Sequence, residues 1–161
     1  MPATSDEGYE LALRWLSRRS LSRAEVRTRL KKHGIEDVES VLDRLVAHHW
    51  LSDRQVAEGE FRQATRRNQG PERIRARLYA RGIEPELARE ILSGLSAEDI
   101  EERAREALLG VISREGVPSD DQRRARVVRR LMRQGFSGAV VARALRALPA
   151  TRPGVEEDTE W

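Results

Sequence analysis

VRTRLKKHGI, at residues 26–35, recurs twice further along the chain, as IRARLYARGI at 74–83 and as VVRRLMRQGF at 127–136. Each copy has a β-branched residue, a leucine four positions later, a glycine four positions after that, and then an apolar residue. Four-residue spacing places side chains on one helix face, and a glycine commonly ends a helix because it enters the left-handed region without a Cβ clash. The repeat therefore predicts three short helices that each end at a glycine.

The segments on either side of each copy carry helical signals of their own. We interpret Ser22 and Glu25 as a capping box before the first copy and residues 119–122 (SDDQ) as another before the third. Pro71 opens the second copy at a first helical position. An amphipathic stretch precedes each copy, and another follows each glycine. The chain is thus predicted to form nine helices.

These helices predict an all-α fold of three tandem three-helix repeats, stacked into an elongated, curved array. The predicted repeats are residues 9–51, 52–96 and 97–148. Residues 149–161 contain four acidic residues and a Pro-Gly pair. We expect this segment to be an acidic, disordered tail that ends in an exposed Trp161.

The composition excludes several classes of protein. The chain has 161 residues, 30 Lys and Arg against 27 Asp and Glu, a formal net charge of +3, and no cysteine. Disulfides and thiolate metal sites are therefore excluded. No stretch approaches the roughly 20 apolar residues of a membrane span, and residues 1–10 lack the basic and apolar regions of a signal peptide. We expect a cytoplasmic protein.

Basic charge concentrates on the predicted middle helix of each repeat. The residue before the shared leucine is an arginine in every copy: Arg29, Arg77 and Arg130. One turn earlier stand Glu25, Arg73 and Arg126. The simpler interpretation of any single arginine is an exposed helix face with local ion pairs. Three such ridges on a stacked array, however, predict an extended positive surface that suits a long acidic partner, either a polynucleotide or a protein filament.

Catalytic chemistry is missing from the sequence. The histidines are His33, His48 and His49, and two adjacent histidines on a helix point about 100° apart and cannot both face one metal ion. The glycines that end the repeats are isolated and do not form a phosphate-binding loop. We therefore predict a protein that is not an enzyme and has no metal site and no cofactor.

The aromatic residues allow two interpretations. They could be stacking platforms for nucleic-acid bases. Each of four continues an apolar pattern, however, which favours core positions for Trp15, Trp50, Phe61 and Phe136. Tyr79 follows Leu78 on a basic helix, and both interpretations, core residue and stacking platform, stay open for it.

Three stretches together resemble the RecX family. The first runs from Ala12 to Leu30. The second and most diagnostic carries Leu51, Asp53, Ala57, Phe61, Arg66, Gly70, Ile74, Leu78, Arg81, Gly82 and Ile83. The third carries Leu131, Gln134, Gly135, Phe136 and Ser137. The similarity covers about residues 9–148. Val56 and Gln134 depart from it, since an aromatic and a basic residue are common there.

The resemblance implies three three-helix repeats that bind the groove of the RecA–DNA filament and inhibit the ATPase, strand exchange and co-protease activity of RecA in recombination and the SOS response. We expect a monomer that contacts RecA, with single- or double-stranded DNA as a further contact. The candidate contact residues are Arg29, Arg66, Arg67, Arg73, Arg77, Arg81, Arg126, Arg130 and Arg133. Two alternatives remain open, a stand-alone helical nucleic-acid-binding protein and a helical scaffold for another acidic protein.

Overall fold

The computed structural model of the protein describes residues 4–148, and the predicted tail with Trp161 lies outside this range. Within it the chain forms nine α-helices and no strand, which confirms the all-α prediction. The helices are α1 (Ser5–Leu16), α2 (Arg23–Lys32), α3 (Val38–Ala47), α4 (Asp53–Arg66), α5 (Pro71–Ala80), α6 (Pro85–Leu92), α7 (Ala97–Glu115), α8 (Asp121–Arg133) and α9 (Gly138–Arg146).

The buried apolar side chains form three separate clusters, each drawn from three consecutive helices. We call α1–α3, α4–α6 and α7–α9 the first, second and third helix triplets. The shared leucines Leu30, Leu78 and Leu131 are fully buried, one in each cluster. Burying a leucine side chain contributes about 1.5–3 kcal/mol, so the leucine of each copy stabilises the core of its own triplet.

The three glycines end their helices in the same way, as the sequence predicted. Gly34, Gly82 and Gly135 have φ angles of 73°, 70° and 99°. The residue after each glycine donates its backbone N–H to the carbonyl of the shared leucine, with N–O distances of 3.2, 3.0 and 3.3 Å. This is the Schellman pattern, in which a left-handed residue lets the chain reverse and cover the last carbonyls of a helix.

The helix starts agree with the prediction in one case and differ in another. Ser22 and Glu25 do form a capping box on α2. The predicted box at residues 119–122 is wrong, because the N-cap of α8 is Asp120, whose carboxylate accepts from the backbone N–H of Arg123. As a result α8 begins six residues before its β-branched residue, whereas α2 and α5 begin three residues before theirs.

Trp50 is a second correction, since its side chain is 59% exposed instead of lying in the core. Helix α3 ends at Ala47, and His49 adopts a left-handed φ of 60°. The chain therefore turns before Trp50, and Leu51, only 3% exposed, takes the core position instead. Of the other three aromatics, Phe136 is buried and Trp15 and Phe61 pack partly buried against the clusters.

The first and second triplets meet where the end of α5 contacts the start of α2. The buried hydroxyl of Ser22 donates to the carbonyl of Arg81 at 2.5 Å. The Arg81 guanidinium bonds Glu25 at 2.7 Å and Glu60 at 3.0 Å. A Cβ on Gly82 would overlap the methyl group of Ala24. We call this contact the charged joint.

The second and third triplets meet in the same orientation, with the end of α8 against the start of α5. The backbone N–H of Gly70 donates to the carbonyl of Gln134 at 2.8 Å, and that of Glu72 donates to the carbonyl of Gly135 at 3.2 Å. A Cβ on Gly135 would lie 2.6 Å from the Cβ of Arg73. We call this contact the glycine joint.

The two joints order the middle helices α2, α5 and α8 in one row, each C-terminal end against the N-terminal end of the preceding helix. The negative end of one helix dipole therefore faces the positive end of the next, which is a favourable arrangement. The three helices together contain 33 residues, 10, 10 and 13. At 1.5 Å per residue they account for about 50 Å of helix.

Candidate interaction surface

The three recurrent arginines each face the first helix of their own triplet or its end. The guanidinium of Arg29 lies 5.6 Å from the ring centroid of Trp15. Arg77 bonds Glu60 at 2.9 Å through Nε, and Arg130 pairs with Glu115. In the isolated protein these side chains therefore connect helices within a triplet, and a role for them in partner binding stays a prediction.

Arg81 lies in the charged joint and its side chain is only 20% exposed. Burial alone would raise the pKa of Glu25, but the hydrogen bonds from Arg81 and from the N–H of Ser22, together with the charges of Arg81 and Arg19, hold that pKa below its usual 4.5. Arg81 also donates to the carbonyl of Ser20 at 2.8 Å. This guanidinium therefore ties the second triplet to the first.

Acid is expected to weaken the charged joint. Because the pKa of Glu25 is lower in the folded protein than in the unfolded one, its carboxylate stabilises the fold above pH 4.5 and loses this effect as the pH falls through the folded pKa. We expect Glu25→Gln to cost about 1–2 kcal/mol near neutral pH. Glutamine can still serve the capping box, so the variant removes mainly the charge.

Urea unfolding of both proteins at a series of pH values checks this prediction. The difference in unfolding free energy between wild type and Glu25→Gln should shrink towards zero well below pH 4.5. Glu86→Gln is the matched control, because Glu86 forms an exposed pair with Arg89 on a single helix. A difference for Glu25→Gln that does not change with pH would contradict the assigned cause.

Four of the candidate arginines have exposed side chains that form neither an ion pair nor a hydrogen bond with another of residues 4–148; Arg73 is exposed too, but it donates to the carbonyl of Arg133. The four are Arg66, Arg67, Arg126 and Arg133. Three of them lie near the glycine joint along the chain, since Arg66 and Arg67 stand four and three residues before Gly70, and Arg133 precedes Gln134 and accepts a hydrogen bond from Arg73 at 3.0 Å through its backbone carbonyl. We call these four the free arginines. They are the candidate residues best placed to meet an acidic partner.

The described residues contain no group of side chains suited to hold a metal ion. No three His, Asp or Glu side chains in residues 4–148 are grouped to hold a metal ion. The ring of His33 lies 5.2 Å from that of Trp15, and its Nδ1 is 2.9 Å from the carbonyl of Arg29. None of the described helices combines the length and the apolar character needed to cross a membrane.

Two important residues escaped the sequence reasoning. Glu60, whose side chain is 13% exposed, forms ion pairs with both Arg77 and Arg81. Arg103 donates to Thr65 at 2.9 Å and lies 5.7 Å from the ring of Phe61, so that it links the third triplet to the second. Burial lowers the pKa of Arg103. No motif marks either residue, because their partners are far away in sequence.

Comparison with known proteins identifies the family. The regulatory protein RecX of Chromohalobacter salexigens is 39% identical over 136 residues, which is 83% of this chain and 88% of the relative. The chain belongs to the RecX family. The RecX proteins of Thermus thermophilus and Mycobacterium marinum are 37% and 36% identical, over 87% and 86% of this chain and 91% and 83% of their own lengths.

A family model and a solved structure agree with this assignment. The model described as the first three-helix domain of RecX matches residues 9–45, which lie in the first triplet. The crystal structure of RecX from Lactobacillus salivarius superposes with a TM-score of 0.77, covering 88% of this chain and 94% of that one at 21% identity. The RecX fold and the resemblance drawn from the sequence are therefore confirmed.

Proposed function

We propose that this RecX protein is a non-catalytic regulator that binds the groove of the RecA–DNA filament and inhibits the ATPase, strand exchange and co-protease activity of RecA. The observation that carries the proposal is the family membership, since relatives matched over most of their length are named regulatory protein RecX. The free arginines add a physical basis, with Arg126 and Arg133 on α8 and Arg66 and Arg67 at the end of α4, because an extended basic surface suits an elongated acidic partner.

The proposed mechanism of inhibition follows from the row of middle helices α2, α5 and α8. A row that contains about 50 Å of helix can contact more than one subunit of a helical filament at once. In this proposal the free arginines meet carboxylates of the groove or DNA phosphates, and the bound protein bridges neighbouring RecA subunits. Bridged subunits can neither exchange freely nor complete the motions of ATP turnover.

Within the same proposal, the protein acts in the cytoplasm. Its three repeats are residues 9–51, 52–96 and 97–148.

A titration of RecA ATPase activity tests this proposal. RecA on single-stranded DNA should lose ATPase activity as this protein is added, and the protein should sediment with the filament more strongly than with DNA alone. Undiminished ATPase activity at saturating protein would exclude inhibition of RecA.

A stand-alone nucleic-acid-binding role is the second candidate. Helix α8 supports it, because its exposed Arg124, Arg126 and Arg129 have no carboxylate partner among the described residues. Equal binding to DNA with and without RecA, with an affinity that falls steeply with salt, would favour this role.

A further inference from the structure

The row of middle helices has two ends that no other part of the described chain covers. At one end, the last turn of α2 has the same Schellman geometry as the two turns that form joints. A Cβ placed on Gly34 would meet nothing within 4 Å, whereas one on Gly82 or Gly135 would overlap the neighbouring triplet. The turn at Gly34 is therefore a copy of an interface element that has no partner within residues 4–148.

Both joints follow one hydrogen-bonding rule. The N-cap residue of one helix donates to the carbonyl of the C-cap residue of the other, through the hydroxyl of Ser22 to Arg81 and through the backbone N–H of Gly70 to Gln134. In the uncovered turn the C-cap residue is His33, and its carbonyl accepts no hydrogen bond from residues 4–148. A partner of this turn therefore needs the N-terminal end of a helix.

The opposite end of the row is such a helix start. Helix α8 begins at an exposed N-cap, Asp120, followed by exposed Asp121. A groove of about 360 Å³ lies beside it, lined by Glu115, Gly116, Pro118, Arg123, Arg126 and Val127. Arg126 corresponds in the repeat to Arg73, which binds the backbone of the neighbouring triplet in the glycine joint.

The two ends carry charges of both signs that can pair across a contact, since exposed Glu36 and Asp37 follow the Gly34 turn and exposed Arg123 and Arg124 follow the start of α8. The uncovered turn of α2 presents Lys31 and Lys32, the only lysines of the chain, both exposed. The start of α8 presents the carboxylates of Asp120 and Asp121. Opposite charges at a polar contact favour one orientation and raise the rate of association.

We propose that a second copy of this protein docks end to end, with the Gly34 turn of one copy against the start of α8 in the next. The contact repeats the arrangement of the two internal joints and continues the row of middle helices from copy to copy. It is heterologous, so it leaves one free end on each outer copy and can extend into longer chains. It replaces the monomer expected from the sequence, and it does not depend on the proposed role at RecA.

Sedimentation velocity at increasing protein concentration tests the proposal. The wild type should increase in average mass with concentration and less so at high salt, since exposed charges are screened. Gly34→Asn should weaken association at least about tenfold, because asparagine tolerates a positive φ but places a side chain in the contact. The matched control is Gly138→Asn, at a glycine with open space around it that begins α9, beyond the C-terminal end of α8 and outside the proposed contact.

A mixing experiment shows whether these two ends meet each other. Asp121→Lys reverses a charge at the start of α8 and leaves the Asp120 cap intact. Gly34→Asn keeps its α8 end and Asp121→Lys keeps its α2 end, so each variant should be monomeric alone and the mixture should form a dimer. The proposal is overturned if the wild type stays monomeric at all concentrations, if Gly34→Asn associates as well as Gly138→Asn, or if the mixture forms no dimer. A monomeric wild type whose Gly34→Asn variant loses filament binding would assign the turn to a helix of the partner instead.

Discussion

Gly135→Ala is expected to lower the free energy of unfolding by about 3 kcal/mol or more and to detach the third helix triplet from the second. About 1 kcal/mol of this comes from holding an L-residue at a φ of 99°. The rest comes from overlap, because the new methyl group would lie 2.6 Å from the Cβ of Arg73 and 2.8 Å from the carbonyl oxygen of Gly70. Those atoms belong to the start of α5, which cannot move without losing the glycine joint.

Urea unfolding followed by circular dichroism measures this effect, and small-angle scattering shows whether the triplets have separated. Gly34→Ala is the matched control, since Gly34 has a φ of 73° and a Cβ there would touch nothing. It should cost only the left-handed strain of about 1 kcal/mol. Equal losses for the two variants would mean that the glycine joint adds no stability.

The helices could be predicted from the sequence alone, because the signals that start and end a helix are local. A cap, a leucine at the right spacing and a terminal glycine act within about ten residues, and the three copies repeat them. The failures have local causes as well. Asp120 caps α8 in place of Ser119, and the left-handed His49 turns the chain so that Leu51 is buried and Trp50 is not.

The joints could not be predicted in this way. The hydrogen bond from Ser22 to Arg81 spans 59 residues, and that from Arg73 to Arg133 spans 60. The same feature explains why nine arginines looked alike in the sequence. Only the folded chain shows that Arg77, Arg81 and Arg130 have carboxylate partners from other helices and that the free arginines do not.

This division of the arginines leads to the largest functional effect that we expect. Replacing the four free arginines together by glutamine should weaken binding to RecA–DNA filaments about 30- to 800-fold, at about 0.5–1 kcal/mol for each exposed charged contact. Stability should change little, because these side chains make no ion pair with the described residues. Filament binding measured by fluorescence anisotropy, together with inhibition of RecA ATPase, checks the loss.

The control for this variant removes the same amount of charge elsewhere. Arg54, Arg89, Arg105 and Arg143 are also exposed, but each is paired with a glutamate of its own triplet. If the partner responds only to net charge, the two fourfold glutamine variants will bind equally weakly, and the assigned surface is wrong. If the free arginines form the contact, only their replacement will weaken binding to this extent, because a guanidinium that is already paired with a carboxylate interacts less with a second one. The salt dependence then separates the partners, since contacts to DNA phosphates release counterions and steepen the fall of affinity with salt, and contacts to protein carboxylates do so far less.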